Sequence, residues 1–205
     1  MIIAVDGPTA SGKGTISKAL AAHYILPWLD TGLLYRAVGR QLAVNGGDAG
    51  NPADALAACA FPESLLDDPV LRDEAVGGLA SQVSVHPAVR AALNQRQVDF
   101  ANQLGGAVLD GRDIGTVIAP HADVKLFITA SAEIRAGRRY DEMQGRGIVA
   151  SLDDILADII ARDARDSTRA DAPLKPAADA MVLDTSNLSA DEAIKSAIAM
   201  VKSSR

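Results

Sequence analysis

The chain opens on a continuous apolar run, Met1-Ile-Ile-Ala-Val-Asp6, which passes straight into Gly7-Pro-Thr-Ala-Ser-Gly-Lys-Gly-Thr15. A short, unbroken apolar run ending in an acid is the pattern of a buried parallel strand. Gly7 to Gly14 reads as a loop, and Thr15 to Tyr24 as a helix with Ile16, Ala19, Leu20 and His23 along one face. Strand, glycine-rich loop and helix in this order turn backbone N–H groups inward around phosphate oxygens, and the helix N-terminus adds partial positive charge. Residues 7–13 satisfy the first seven positions of G-x-x-x-x-G-K-[ST], with Gly14 at the eighth. The segment therefore predicts a triphosphate-binding loop built from Gly7, Pro8, Thr9, Ala10, Ser11, Gly12, Lys13, Gly14 and Thr15, with Lys13 reaching between the β- and γ-phosphates. The competing reading is a strand-to-helix turn with no ligand.

Further apolar runs follow at Pro27–Asp30, Gly106–Asp110, Asp123–Ile128 and Met181–Asp184. Between them lie helical patterns: Thr31–Asn45 capped by Asp30 or Thr31, Ser131 to about Gln144, and a helix from the Ser151–Asp154 capping box to about Thr168. A last helix, Ala190 to about Lys202, has Ala193, Ile194, Ala197, Ile198 and Val201 at helical spacing. Pro52 to Leu104 looks helical throughout, in about three pieces divided near Phe61-Pro62 and His86-Pro87. About five strands alternating with helices predict an α/β fold of three layers, a central parallel sheet covered on both faces. Ligands in such folds collect at the carboxyl ends of strands, here just after Val5, Leu29, Leu109, Ile128 and Leu183.

At 205 residues the chain suits a single domain, and with only 3% aromatic residues its core must come from Ala, Leu, Ile and Val. A net charge of −6 argues against a nucleic-acid coat, which needs a basic surface. Cys59 is the only cysteine, which excludes an internal disulfide and a cysteine zinc site; in the run Ala53–Ala60 it reads as a small buried side chain. His23, His86 and His121 lack metal-ligand spacing. No apolar run approaches the ~20 residues of a membrane span, and Met1–Val5 is too short for a signal segment, so a cytoplasmic protein is expected.

The second substrate has to be sought among the arginines. Asp30-Thr-Gly-Leu-Leu-Tyr-Arg36 starts at a strand end and sets Tyr35 and Arg36 one turn into a helix, where Arg36 can clamp a phosphate and Tyr35 pack beneath it. Asp110-Gly-Arg-Asp113 follows a strand directly and could orient hydrated Mg²⁺, clamp phosphate and read a polar base or sugar. Arg162, Arg165, Asp166 and Arg169 form one helical stripe. Arg135, Arg138 and Arg139, with Gly145-Arg-Gly147 beyond, make a basic, hinged lid candidate. Each has a plainer reading as a solvated helix face or an ion-paired turn. Phosphoryl transfer rewards such a layout, because its loose transition state needs positioning and charge neutralisation more than a covalent nucleophile.

The loop ending Gly-Lys-Gly-Thr15 resembles that of adenylate kinase and its nucleoside monophosphate kinase relatives, which implies Thr15 as the hydroxyl near the α-phosphate. Taken with Asp30–Arg36, Ser81-Gln-Val, Arg90, Asp110–Thr116, the Arg162–Arg169 stripe and the tail from Ala172-Pro-Leu to Leu183-Asp184, the chain resembles the bacterial cytidylate kinase family across nearly its whole length. The resemblance implies a P-loop NTPase-type fold and transfer of the γ-phosphoryl of ATP to CMP or dCMP, with UMP accepted poorly. It implies that Ser81, Arg90 and Asp113 read cytosine, that Arg162 and Asp166 hold the pentose, and that Arg36, Arg112 and Arg169 grip the acceptor phosphate beside Thr31 and Tyr35. Lys13, Arg112, Arg169 and the lid arginine Arg138 become the catalytic set, with hydrated Mg²⁺ near Thr15 and Asp110 but no direct protein ligand. A monomer is expected, with a core of 1–45 and 88–205, a monophosphate-binding lobe at about 46–87 and a lid at about 138–150.

Two departures from the family stand out. Thr31 replaces a common serine and keeps the hydroxyl; the stretch Asn45–Ser81 is short and Ala-rich where longer members carry a β-rich insert. The rivals are a P-loop kinase for another small acceptor, such as a different monophosphate or dephospho-coenzyme A, and a GTPase-like switch. The Asn-Lys-x-Asp segment of guanine-reading switches does not occur here.

Overall fold

The computed structural model describes residues 1–204. Five strands, β1 (Ile2–Asp6), β2 (Trp28–Asp30), β3 (Ala107–Gly111), β4 (Val124–Thr129) and β5 (Met181–Asp184), form one all-parallel sheet in the order β2-β3-β1-β4-β5. All five strands expected from the apolar runs are present. β1 lies in the middle, paired with β3 on one side and β4 on the other. Its outgoing loop therefore emerges where connections leave the sheet in opposite directions, the place where α/β folds bind ligands.

Alternation along β1 divides the core. Ile3 and Val5 join Leu20, Leu126, Ile128 and Val201 beneath α1 (Lys13–Tyr24) and α8 (Ala190–Ser203). Ala4 turns the other way, to Leu109, Ala101, Ile114 and Ile118. Each fully buried Leu, Ile or Val contributes about 1.5–3 kcal/mol. The buried face of α1 is Ile16, Ser17, Leu20 and Ala21; of the expected face Ile16 and Leu20 are buried, Ala19 is half-buried and His23 is exposed. The helix also begins at Lys13, two residues earlier than expected, because Gly12 takes a left-handed conformation (φ 87°) and releases the chain into the first turn at once.

α2 (Thr31–Asn45) has the predicted limits, but neither candidate caps it. Asp30 makes no side-chain cap bond, and Thr31 Oγ1 donates to the Asp110 carbonyl at 2.8 Å. A second apolar cluster packs on this helix: Leu34, Val38 and Leu42 meet Ala55, Ala58, Val83, Val89 and Leu93. Those partners come from α3 (Pro52–Ala57), α4 (Glu74–Val83) and α5 (Pro87–Ala101), and from the residue after α3. The breaks at Phe61-Pro62 and His86-Pro87 are where the sequence put them. Between Ala58 and Asp73, however, the continuous helix gives way to two short 3₁₀ turns, Glu63–Asp67 and Pro69–Arg72. Pro62 and Pro69 each follow an extended residue or are extended themselves, and Asp68 caps the second turn by accepting from Val70 N at 2.9 Å. Cys59 is half-buried in this region, its thiol turned to the Ala55 carbonyl.

α6 (Ala132–Gly145) and α7 (Leu152–Thr168) pair over Ala136, Ile155 and Ile159, with Ala10 of the loop against them. Ser131 and Ser151 both cap as expected, but Ser151 lacks the reciprocal bond; the full capping box is at Ser189 and Glu192, opening α8.

Candidate active site

Gly7 leaves β1 at φ 155°, and a Cβ there would fall 2.1 Å from the Ile128 carbonyl oxygen, so no other residue fits. The loop that follows is pinned from outside. Arg135 of α6 donates to the Thr9 carbonyl at 3.3 Å while holding Asp163 of α7 with both terminal nitrogens, at 3.1 and 2.6 Å. Thr185, just past β5, lies 3.2 Å from the Ser11 carbonyl and 3.1 Å from that of Thr129. These ties anchor the loop to α6 and to the ends of β4 and β5.

Lys13 then extends over a cavity of about 220 Å³ lined also by Asp30, Asp110, Arg36, Arg112, Arg139 and Arg162. Such a space is larger than a few waters need. Burial, and then Arg112, pull the Lys13 ammonium well below the usual lysine range. Burial, and then Asp30, push the Asp110 carboxyl well above its ordinary range, with Trp28 Nε1 donating to Oδ1 at 2.7 Å. A lysine and two carboxylates thus share the edge formed by the ends of β2 and β3.

Deeper, Asp6 accepts from the N–H groups of Ile114 and Gly115, both at 2.8 Å, and so holds the turn that carries Arg112 and Asp113. Burial outweighs those two bonds and pushes its carboxyl up to about 6. Arg112 Nε donates to Asp166 Oδ2 at 2.8 Å; burial raises the Asp166 carboxyl, but the charge and hydrogen bond of Arg112 prevail and hold it below the ordinary range.

The arginines are in excess. Arg162 is pulled down to about 10, first by burial and then by Arg112 and Arg36; Arg36 is pulled down by burial and by Arg139. Arg162 Nε is buried with no hydrogen-bond partner among the described residues. Part of the charge is met by Glu74, at the start of α4, whose carboxylate bridges Arg139 of α6 and Arg162 of α7, the latter at 3.1 Å. Arg36 donates to the carbonyls of Leu71 and Asp73 at 2.8 and 3.0 Å, and lies against Gly77, where a Cβ would come within 2.8 Å of the guanidinium.

At the far end of the cavity Arg90 and Arg169 meet on Asp113, Arg169 at 3.4 Å. Arg90 also holds Asp171 at 3.0 Å and lies 3.4 Å from the Tyr35 hydroxyl, and Arg169 Nε donates to the Ala172 carbonyl at 2.7 Å. The tail around Ala172 is thereby tied to both arginines. Ser81 of α4 and Ser84, the residue after that helix, face the same space.

Two expected members lie elsewhere. Arg138 turns away from Lys13 and donates to Thr185 Oγ1 at 3.0 Å, beside a second cavity lined by Ser11, Gly12, Thr15, Leu188 and Ala193; Arg139, one residue on, is the arginine that lines the Lys13 cavity. Thr15 is exposed on that second side rather than next to Asp110. The structure adds Asp30, Glu74, Trp28, Asp171 and Thr185, and from the lid candidates it selects Arg139 for the Lys13 cavity. Of the added residues only Asp30, at the end of β2, and Thr185, just past β5, carry a sequence signal.

The cytidylate kinase family model matches residues 3–203. The chain belongs to the cytidylate kinase family. Curated relatives named cytidylate kinase align over its whole length: 53% identity in Afipia carboxidovorans over 99% of that protein, 53% in Xanthobacter autotrophicus over 99%, and 52% in Rhodopseudomonas palustris over 97%. Two solved structures share the fold at lower identity. One is an uncharacterized protein of Eubacterium ventriosum, with a TM-score of 0.57 at 17% identity, covering 99% of this chain and 98% of that one. The other is a protein of Thermus thermophilus, with 0.50 at 23%, covering 99% and 96%. The family's members are ATP-dependent nucleoside monophosphate kinases, and no helix among the described residues is long and apolar enough to cross a membrane.

Proposed function

We propose that this chain transfers the γ-phosphoryl of ATP to CMP or dCMP, giving CDP or dCDP and ADP. The observation that carries this reading is one cavity with a lysine over the loop at one end and the Arg90–Asp113–Arg169 cluster at the other, joined by an excess of arginine. Anions would enter to offset that excess, and the orphan Arg162 Nε is a donor suited to one.

The loop Gly7–Thr15 would cradle the donor phosphates, and Lys13, once a phosphate faces it, would regain its proton firmly and offset charge on the transferring group. Arg139, rather than Arg138, is the helix α6 arginine proposed to act there. Arg138, with Thr15 and Thr185, would border the nucleoside end of ATP. Arg36, Arg112 and Arg169 would grip the acceptor phosphate, Arg162 and Asp166 the pentose, and Ser81, Arg90 and Asp113 the base, with Thr31 fixing the Asp110 strand end and Tyr35 packing below. Asp30 crowds the charge of Asp110 at the loop, which fits a hard divalent cation that keeps part of its water shell. Mg²⁺ bound there would neutralise phosphate charge. Residues about 46–87 and 138–150 would act as the closing lobe and lid, excluding water. The chain would work as a monomer in the cytoplasm.

Steady-state assays with ATP and a panel of CMP, dCMP, UMP and AMP test the reading. CDP formed from CMP at the highest kcat/KM is expected. No CDP from CMP would overturn it, and no transfer to any monophosphate would favour a nucleotide-binding module.

A further inference from the structure

Of the stripe on α7, Arg162, Asp166 and Arg169 have places around the cavity, whereas Arg165 has none in the reading above. Its Nε donates to Ser81 Oγ at 3.2 Å, crossing from α7 to α4. Ser81 is buried, and among the described residues it is the only side chain that Arg165 bonds. A guanidinium can only donate, so it occupies a lone pair of the hydroxyl. Ser84 does not compete for it: its own hydroxyl donates to the Ser81 backbone carbonyl at 2.9 Å. None of the described residues accepts the Ser81 hydrogen, which a helical serine would often turn back on its own helix. The hydroxyl hydrogen is left for the cavity.

The groups at that end of the cavity then divide by role. Arg90 and Ser81 are donors, and Asp113, with a carboxylate oxygen on each arginine, is the acceptor. Cytosine presents an amino donor beside two acceptors, N3 and O2. Uracil presents a carbonyl in place of the amino group and an N–H in place of N3. A donor at Ser81 matches N3 of cytosine, where uracil presents an N–H; O2 is an acceptor in both bases, and a hydroxyl free to rotate could accept from the uracil N–H instead.

We propose that Arg165 is a positioning residue for base selection: by filling one lone pair of Ser81 it turns the hydroxyl hydrogen toward the base, and so favours cytosine, whose N3 accepts, over uracil, whose N3–H does not. This rests on the reading in which Ser81, Arg90 and Asp113 face the base.

The test is the ratio of kcat/KM for CMP to that for UMP. Arg165→Met keeps the packing stem and removes the donor, and should lower the ratio about tenfold, the scale of one discriminating hydrogen bond. Arg165→Lys retains a donor and should restore most of it. Ser81→Ala should lower the ratio by itself, and adding Arg165→Met to Ser81→Ala should change it no further. If Ser81→Ala lowers the ratio but Arg165→Met does not, the role of Arg165 is refuted while the base reading stands. If Arg165→Met lowers kcat/KM equally for both nucleotides, the contact is merely structural and the proposal fails. If Ser81→Ala leaves the ratio untouched, the base reading falls and this inference with it.

Discussion

Trp28 donates its indole N–H to Asp110 Oδ1 at 2.7 Å, from β2 to the end of its neighbour β3. That bond favours the ionised carboxylate against burial and against Asp30. Trp28→Phe keeps an aromatic ring and removes the donor. Stability should fall by about 1–3 kcal/mol, the cost of a buried acceptor left without its partner. The Asp110 carboxyl should also hold its proton to higher pH, moving the acid limb of the pH–rate profile upward. Thermal unfolding and a kcat/KM profile check both, and an unchanged Tm with an unmoved limb would contradict the role given to the indole.

Asp6 makes stability depend on pH in a stated direction. Its folded-state pKa of about 6 lies above the ordinary 3.8, so the folded chain binds its proton more tightly than the unfolded chain does. The stabilisation from that proton is complete below about pH 4 and lost as pH rises through 6, amounting to about 3 kcal/mol. Denaturant midpoints of the parent and Asp6→Asn at pH 4, 5, 6 and 7 should converge or cross accordingly. A difference that stays flat over this range would sink the claim.

Arg112→Ala and Arg169→Ala should cost most of the turnover with CMP while ATP still binds, because both guanidiniums lie on the Asp113–Asp166 side of the cavity. Arg112→Ala should also lower Tm, since it strands the buried carboxylate of Asp166. Calorimetric titration with ATP distinguishes the two effects. Loss of ATP affinity in both variants would contradict their placement.

Arg138→Ala should raise KM for ATP and leave KM for CMP nearly unchanged, because this side chain sits with Thr185 and Thr15 on the other cavity. Arg139→Ala should lower kcat instead. If the two variants behave alike, the division between neighbouring arginines is wrong.

That division marks the limit of what the sequence makes legible. The strands are plain because each is a short apolar run, four of the five closed by Gly or Asp. The sheet buries most of β1, β3 and β4 and half-buries β2; in the edge strand β5 only Leu183 is buried. The loop is plain because its glycines and lysine have fixed spacing. Arg138 and Arg139, however, lie about 100° apart on one helix, and only the packing of α6 on α7 decides which faces Lys13. Residues 58–73 carry an alanine-rich lead-in that favours helix, yet Pro62 and Pro69 interrupt it and their spacing leaves room for single turns only. Glu74 and Trp28 were invisible for another reason. An acid in the first turn of a helix and a tryptophan in a strand are ordinary local choices, and their partners are 65 and 82 residues away.

The bridge from Glu74 to Arg139 and Arg162 bears on how an anion is recognised. Two guanidiniums from different helices already share one carboxylate, so a phosphate reaching them exchanges places with an acid instead of meeting bare cations. The arginines are stripped of water when the chain folds, and capture is then a difference between two anion complexes. Exchange is weaker than capture by free guanidiniums, but it discriminates better. A monoanion would gain little over the carboxylate it displaces, whereas a dianionic phosphoryl group would win the competition.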